Sequence, residues 1–206
     1  MKNSHPSWLY SRPRILNILH SFRLALPHSQ MNKEEMDCLQ KYAHGKKLAV
    51  EIGTYMGVSA TIIATALASD GMLYCIDPFE SIPGKLNPGF KMATRLFRRN
   101  NITRKIKFLR GYSNDKKIIE QIPDQLDFIL IDGDHSYEGL ENDWQIVRSK
   151  VMIGGIICLH DTTIPAKEPY RDFGSVKYFN EIIMHDKNFE LLETAYSMNV
   201  IIKKGA

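Results

Sequence analysis

Between residues 47 and 186, short apolar runs take turns with segments of helical periodicity, and this alternation narrows the fold more than any other feature. KLAVEI (47–52), MLYCID (72–77), KIKFLR (105–110), DFILID (127–132) and GGIICLHD (154–161) read as strands. Residues 57–69, a basic stretch around 90–100, NDKKIIEQI (114–122), 137–150 and 175–186 read as helices. Such alternation implies a mainly parallel sheet covered on both faces, because parallel neighbours need a crossover long enough to hold a helix. The run FILI lacks polar alternation, as expected of a strand buried on both faces. FELLETA and NVIIKK near the C-terminus have no helix between them, so they should form an antiparallel hairpin. The expected fold is α/β, a doubly wound seven-stranded mostly parallel sheet with a C-terminal antiparallel hairpin. A chain of 206 residues suits one such domain with a full-sized core.

Residues 1–30 stand apart. The chain holds 27 Lys and Arg against 23 Asp and Glu, and Lys2, Arg12, Arg14 and Arg23 are the only charges in this arm, so the remaining chain is balanced. Ile15, Leu16, Ile18, Leu19, Phe22 and Leu26 fall at helical spacing, and Pro13 suits a first turn. The chain thus divides into a basic amphipathic arm (1–30) and a domain (31–206) that opens on a helix capped by Asn32 and Glu35. A basic amphipathic helix can lie on an anionic membrane. The plainer reading, preferred here, packs it on the domain or on a partner subunit, which leaves room for a homodimer. The evenly charged body gives no support for a nucleic-acid partner. No apolar run reaches the ~18 residues of an integral membrane segment, and the start lacks the apolar core of a secretory signal. Cys38, Cys75 and Cys158 are odd in number and widely spaced, which suits buried free thiols and a cytoplasmic location.

In open α/β sheets, ligands bind beyond the carboxyl ends of the strands, near the switch point of strand order. The first such end reads Glu51-Ile52-Gly53-Thr54-Tyr55-Met56-Gly57-Val58-Ser59. Gly53 permits a sharp turn against a ligand, and Gly57 opens a helix with free amides. A structural turn explains two glycines equally well. Glu51 tilts the balance, because a carboxylate closing an apolar strand is costly to bury without a partner. The second strand ends in Asp77-Pro78-Phe79, with an acid placed to accept from both ribose hydroxyls of a nucleoside. The fourth ends in Asp132-Gly133-Asp134-His135-Ser136, the fifth in His160-Asp161-Thr162. If these strands are neighbours, Asp132, His160 and Asp161 converge, a donor set suited to Mg²⁺ or Mn²⁺. A loop-capping Asp161 bonded to His160, with no metal, is the competing reading.

VEIGTYMGVSA, YCIDPF, LIDGDHSYEG and GGIICLHDT together resemble the methyltransferase family that includes macrocin O-methyltransferase and the cephalosporin-hydroxylase-like proteins. More distantly, they are similar to the metal-dependent catechol and caffeoyl-CoA O-methyltransferases. Seven strands ending in a hairpin is also the layout of the class I, Rossmann-like methyltransferases. The resemblance implies S-adenosylmethionine as cofactor. Glu51, Gly53 and Thr54 would hold its methionine end, Asp77 its ribose, and Gly111, Tyr112 and Ser113 its adenine. Tyr55, Ser59, Pro78, Asp134 and His135 fall in the same matching segments and join the expected cofactor site. Asp132 would face the methionyl group or a metal held with His160 and Asp161. His160 and Thr162 depart from the acid and asparagine of the catechol-type enzymes. His135 matches a histidine proposed as general base.

The implied chemistry is methyl transfer to a hydroxyl of a small molecule or sugar. The hydroxyl must be aligned and stripped of its proton, by His135 with Asp132 beside it or by a metal. An NAD-dependent Rossmann-type oxidoreductase predicts G-x-G-x-x-G, and residue 55 is tyrosine rather than glycine. A non-catalytic nucleoside-binding protein on the same fold is the other alternative. Loops 79–90 and 162–175, with Phe79, Phe90, Tyr170, Arg171 and Phe173, should cover the acceptor. Lys85, Lys91, Arg95, Arg98 and Arg99 read as a solvated helix face rather than a phosphate site.

Overall fold

The computed structural model describes residues 11–79 and 87–205. Lys2 of the arm, Lys85 and most of the expected acceptor loop 79–90 lie outside the described residues. Seven strands form one sheet: β1 (Leu48–Ile52), β2 (Met72–Ile76), β3 (Ile106–Leu109), β4 (Leu126–Ile131), β5 (Val151–Leu159), β6 (Phe189–Ala195) and β7 (Met198–Lys203). Their order is β3-β2-β1-β4-β5-β7-β6. The first five run parallel, and β7 pairs antiparallel with both β5 and β6. The doubly wound sheet with its terminal hairpin is as the sequence implies, and the switch of strand order falls between β1 and β4.

Among the described residues the helices are α1 (Pro13–Ser21), α2 (Lys33–Ala43), α3 (Val58–Ala66), α4 (Pro88–Arg99), α5 (Lys116–Ile119), α6 (Tyr137–Lys150) and α7 (Gly174–Glu181). The stretch expected to be helical to 186 ends its α-helix at Glu181 and closes with a short 3₁₀ turn, Ile183–His185. Successive side chains of β4 enter opposite layers. Phe128 and Leu130 pack with Leu39, Ile63 and Phe97 of α2, α3 and α4. Ile129 and Ile131 pack with Trp144 and Val147 of α6 and Phe179 of α7. Two dry faces explain the unbroken FILI run. Each fully buried Leu, Ile or Phe contributes roughly 1.5–3 kcal/mol, so this strand anchors both layers.

The described part of the arm, residues 11–30, folds onto the domain. Leu16 and Ala25 form a small cluster with Met56 and Met92, and α1 lies against α4. Arg95 donates to the carbonyl and side chain of Asn17, and Arg99 to the carbonyls of His20 and Ser21. Two cations expected on a solvated face therefore clamp the arm helix, whose last carbonyls have no intrahelical donors. Asn32 and Glu35 form the expected capping box on α2, with Asn32 N donating to Glu35 Oε2 at 2.8 Å and Glu35 N to Asn32 Oδ1 at 3.0 Å. All three cysteines are buried free thiols. Among the described residues no helix is long and apolar enough to cross a membrane.

Candidate active site at the switch point

The ends of β1, β2, β3 and β4 open on a cleft of about 570 Å³. Its first wall is backbone. Gly53 has φ +90°, and a Cβ there would stand 1.9 Å from the carbonyl oxygen of Asp132. Only glycine allows the ends of β1 and β4 to close to this distance. Gly57, at φ +82°, turns the chain into α3. Between them Tyr55 sits at φ +46°, and Phe79 beyond β2 at φ +42°. Asp77 holds both turns, accepting from Tyr55 N at 2.7 Å and from Phe79 N at 2.6 Å. The turn role of Asp77 is thus real, and its side chain also lines the cleft with Thr54, Tyr55, Ser59 and Pro78.

Glu51 lies behind this wall, with no solvent exposure and no partner on either carboxylate oxygen. Burial pushes its pKa up to about 8, against the opposing pull of the Ser59 and Thr54 hydroxyls and with help from the Asp132 and Asp77 charges. At neutral pH it is mostly a neutral acid able to donate. The Thr54 hydroxyl is also buried without a partner. Thr54 and Ser59 line the cleft, whereas Glu51, expected to touch a cofactor directly, is enclosed behind them and meets the cleft only through their hydroxyls.

Gly111, Tyr112 and Ser113 follow β3 and form the far wall. Here the structure adds Asp143 of α6, which the sequence reading missed. Asp143 is buried, accepts from the Ser113 hydroxyl, and has its pKa pushed up to about 6 by burial. Its signal was present: 140, 143, 144 and 147 form one helical stripe, and an acid on that stripe faces inward. His28, Ser29 and Gln30 were missed too. They end the arm and line the cleft, with His28 N donating to Met56 Sδ at 3.4 Å.

The second half of the site is made of side chains. His160 Nδ1 lies 2.9 Å from Asp132 Oδ1 and 3.6 Å from Asp161 Oδ2, and its Nε2 lies 3.5 Å from Glu35 Oε1. None of these contacts has hydrogen-bond alignment. Burial alone would lower the His160 pKa, but Asp132, Glu35 and Asp161 together raise it to about 10. Glu35 reaches this point from the cap of α2, fixed by the Ser197 hydroxyl and amide in the β6–β7 turn. No sequence signal links Glu35, His160 and Ser197. Asp161, itself at φ +51°, gives one oxygen to Arg171 at 2.5 Å.

His135 Nε2 lies 3.6 Å from Asp132 Oδ1 and 3.8 Å from Asp161 Oδ2. Its ring stacks on Phe173 at 5.6 Å, and it lines the cleft with Asp132 and Asp134. Asp134 also accepts from Ser136 N at 2.9 Å, at the start of α6. Asp132, His135 and His160 each offer a ligand atom, all within 4.8 Å of one another. Of the three expected ligands, Asp132 and His160 thus cluster with His135, while Asp161 stands beside them on Arg171. The expected acceptor contacts divide. Phe173 stays at the site, whereas Phe79 and Phe90 pack with Phe108 in an aromatic cluster and do not line the cleft.

A doubly wound sheet with a glycine turn after β1, an acid after β2 and a cleft at the switch point defines a nucleoside-cofactor class of α/β protein. Residues 50–162 match the family model described as a methyltransferase domain, and the chain belongs to that family. It is 30% identical over 115 residues to the uncharacterized protein R132 of Acanthamoeba polyphaga mimivirus. That stretch is 54% of this chain and 50% of the viral protein, so the match spans half the relative's length. The fold is similar to that of the O-methyltransferase TomG from Streptomyces achromogenes, involved in tomaymycin synthesis and solved with S-adenosylmethionine. The TM-score is 0.69 at 15% identity, over 100% of this chain and 93% of that one. The O-methyltransferase from Bacillus cereus, solved with S-adenosylhomocysteine, gives 0.63 at 18% identity, over 97% and 93%. At these identities the likeness is one of fold.

Proposed function

We propose that the protein is an S-adenosylmethionine-dependent methyltransferase acting on a hydroxyl of a small molecule or sugar. One observation carries the reading: a backbone-built cleft meets the Asp132–His135–His160–Asp161 cluster at the switch point. The residues suit the cofactor. Thr54, backed by the enclosed Glu51, would meet the amino-acid end; Asp77 would accept from the ribose, and the wall of Gly111, Ser113 and Asp143 would take the adenine. When bound, S-adenosylmethionine supplies an electrophilic methyl group on sulfonium.

The chain's own work is to hold the acceptor and take its proton. His135 Nε2 faces two carboxylates, which orient the ring and stabilise the charge it gains as a base. Asp161 is held by Arg171, and Asp132 by contact with His160. His160, whose pKa its carboxylate neighbours raise, carries its proton and serves as a buried donor behind Asp132.

A divalent ion is the second reading, favoured by the mutual spacing of Asp132, His135 and His160. Two imidazoles and a carboxylate suit Mn²⁺ better than Mg²⁺, and the ion would have to displace the His160 proton. Calorimetry with S-adenosylhomocysteine, followed by turnover on a panel of hydroxyl acceptors with and without EDTA, tests both. Binding of NAD with none of S-adenosylhomocysteine overturns the first reading. Turnover unaffected by EDTA and by added Mn²⁺ removes the second.

A further inference from the structure

The inner face of α1 is accounted for by Leu16 and His20, both buried. Its outer face has no such cover among the described residues. Ile15, Ile18 and Phe22 form a stripe at helical spacing, with Ile18 56% and Phe22 72% exposed, and beyond the helix end Leu24 and Leu26 are exposed at 65% and 47%. Five large apolar side chains exposed in twelve residues form a patch rather than the scatter normal on a surface.

Charge identifies what would cover it. Arg14 stands one turn before Ile18 on the same side of the helix, and Arg23 lies between Phe22 and Leu24. Both are exposed, as are Lys91 and Arg98 on the neighbouring α4. No Asp or Glu occurs before Glu34. A second copy of the chain docked on the same patch would set these cations against their own counterparts, with no acids in the arm to neutralise them. An anionic lipid surface satisfies both halves, taking the apolar stripe into the acyl boundary and the cations at the headgroups.

We infer that the arm is a membrane-surface anchor, with residues 15–26 seated on an anionic bilayer. The arm then runs directly into His28, Ser29 and Gln30 of the cleft wall, so the anchored face would stand beside the mouth of the site.

The test uses the full chain and vesicles, with no cofactor, so it is independent of the methyltransferase reading. Sedimentation with vesicles of about one-third phosphatidylglycerol in phosphatidylcholine should pull down the protein. Pure phosphatidylcholine should bind about tenfold less or weaker, and about 0.5 M NaCl should release the bound protein. The double variant Ile18→Glu/Phe22→Glu changes only exposed positions and should keep the melting temperature while losing vesicle binding by on the order of tenfold or more. Absence of binding to anionic vesicles overturns the inference. So does equal binding to both lipid compositions. A dimer in analytical ultracentrifugation that the double variant dissociates, with no vesicle binding, assigns the patch to a second copy instead.

Discussion

The two halves of the cleft are built by different means. Around β1, β2 and β3 the wall is backbone: a glycine pressed against the carbonyl of Asp132, two non-glycine residues at positive φ, and one aspartate that ties both turns. Around β4 and β5 it is a network of charged side chains, in which Glu35, Asp132, Asp161 and Arg171 surround two histidines. Backbone geometry positions a constant ligand, because amides and turns do not change with rotamer. A side-chain network can be retuned one residue at a time without moving a strand. The first half therefore suits a cofactor of fixed shape, and the second suits chemistry set by individual side chains.

The largest effect should come from the backbone half. Gly53→Ala puts a methyl group 1.9 Å from a backbone oxygen at φ +90°, and neither strand end can yield without disturbing the sheet. We expect loss of more than about 4 kcal/mol, or failure to fold, seen in thermal unfolding and in abolished S-adenosylhomocysteine binding. A variant that folds and binds normally would show the two strand ends to be less tightly joined than their spacing implies.

Next comes pH. Glu51 holds its proton more tightly in the folded chain, with a pKa of about 8 against 4.5 in the open chain. A native state that binds the extra proton loses stability as pH rises. The contribution is full below about 4.5 and is lost on passing through 8. Across that window the loss is on the order of 3–5 kcal/mol. Melting temperatures of the cofactor-free protein between pH 5 and 8.5 should fall. Glu51→Gln should flatten that fall, and an unchanged slope would mean that Glu51 finds a counter-charge or a bound water.

In the side-chain half, Glu35→Ala should cost about 2–4 kcal/mol, since it leaves His160 and Ser197 without their carboxylate and opens the cap of α2. Asp77→Ala should cost less in the fold and weaken S-adenosylhomocysteine by about 1–3 kcal/mol in calorimetry. A larger loss of stability than of affinity would place Asp77 with the turns rather than with the ribose.

The same divide decided what the sequence could reveal. The succession of strands and helices, the mostly parallel sheet and the hairpin followed from alternation, because periodicity is local. The order of strands and the place of the switch point came only with the fold. Gly53 and Asp77 were legible because strand ends and glycines are local as well. Glu35, Ser197 and Arg171 were not legible in their roles: each meets its partner through tertiary packing, and no spacing rule joins a helix cap to a hairpin turn. Phe79 failed for a related reason. An aromatic in a loop reads as exposed until Phe90 and Phe108 are seen to enclose it. The cations of α4 divide: Lys91 and Arg98 are exposed as a solvated face implies, whereas Arg95 and Arg99 hold an arm helix that periodicity could find but not place.

The smallest structural effect should fall on the residue that matters most to the proposed chemistry. His135 is partly exposed, with carboxylate contacts of 3.6 and 3.8 Å and ring contacts with Phe173 and His160. Losing them should move stability by less than about 1 kcal/mol, since no buried partner is orphaned by a truncation at the cleft surface. Turnover should respond quite differently, because removal of a general base typically costs 10²–10⁴-fold in rate. His135→Ala should therefore lower kcat by about that factor, leaving the melting temperature and S-adenosylhomocysteine affinity close to those of the parent. The contrast with Glu35→Ala sharpens the division inside the network itself. Glu35 holds the cluster from below and should act on stability first, whereas His135 faces the cleft and should act on rate alone. If His135→Ala keeps full turnover, proton removal does not pass through this ring. A metal on Asp132 and His160 would then have to acidify the acceptor, and chelation should silence the variant as it would the parent.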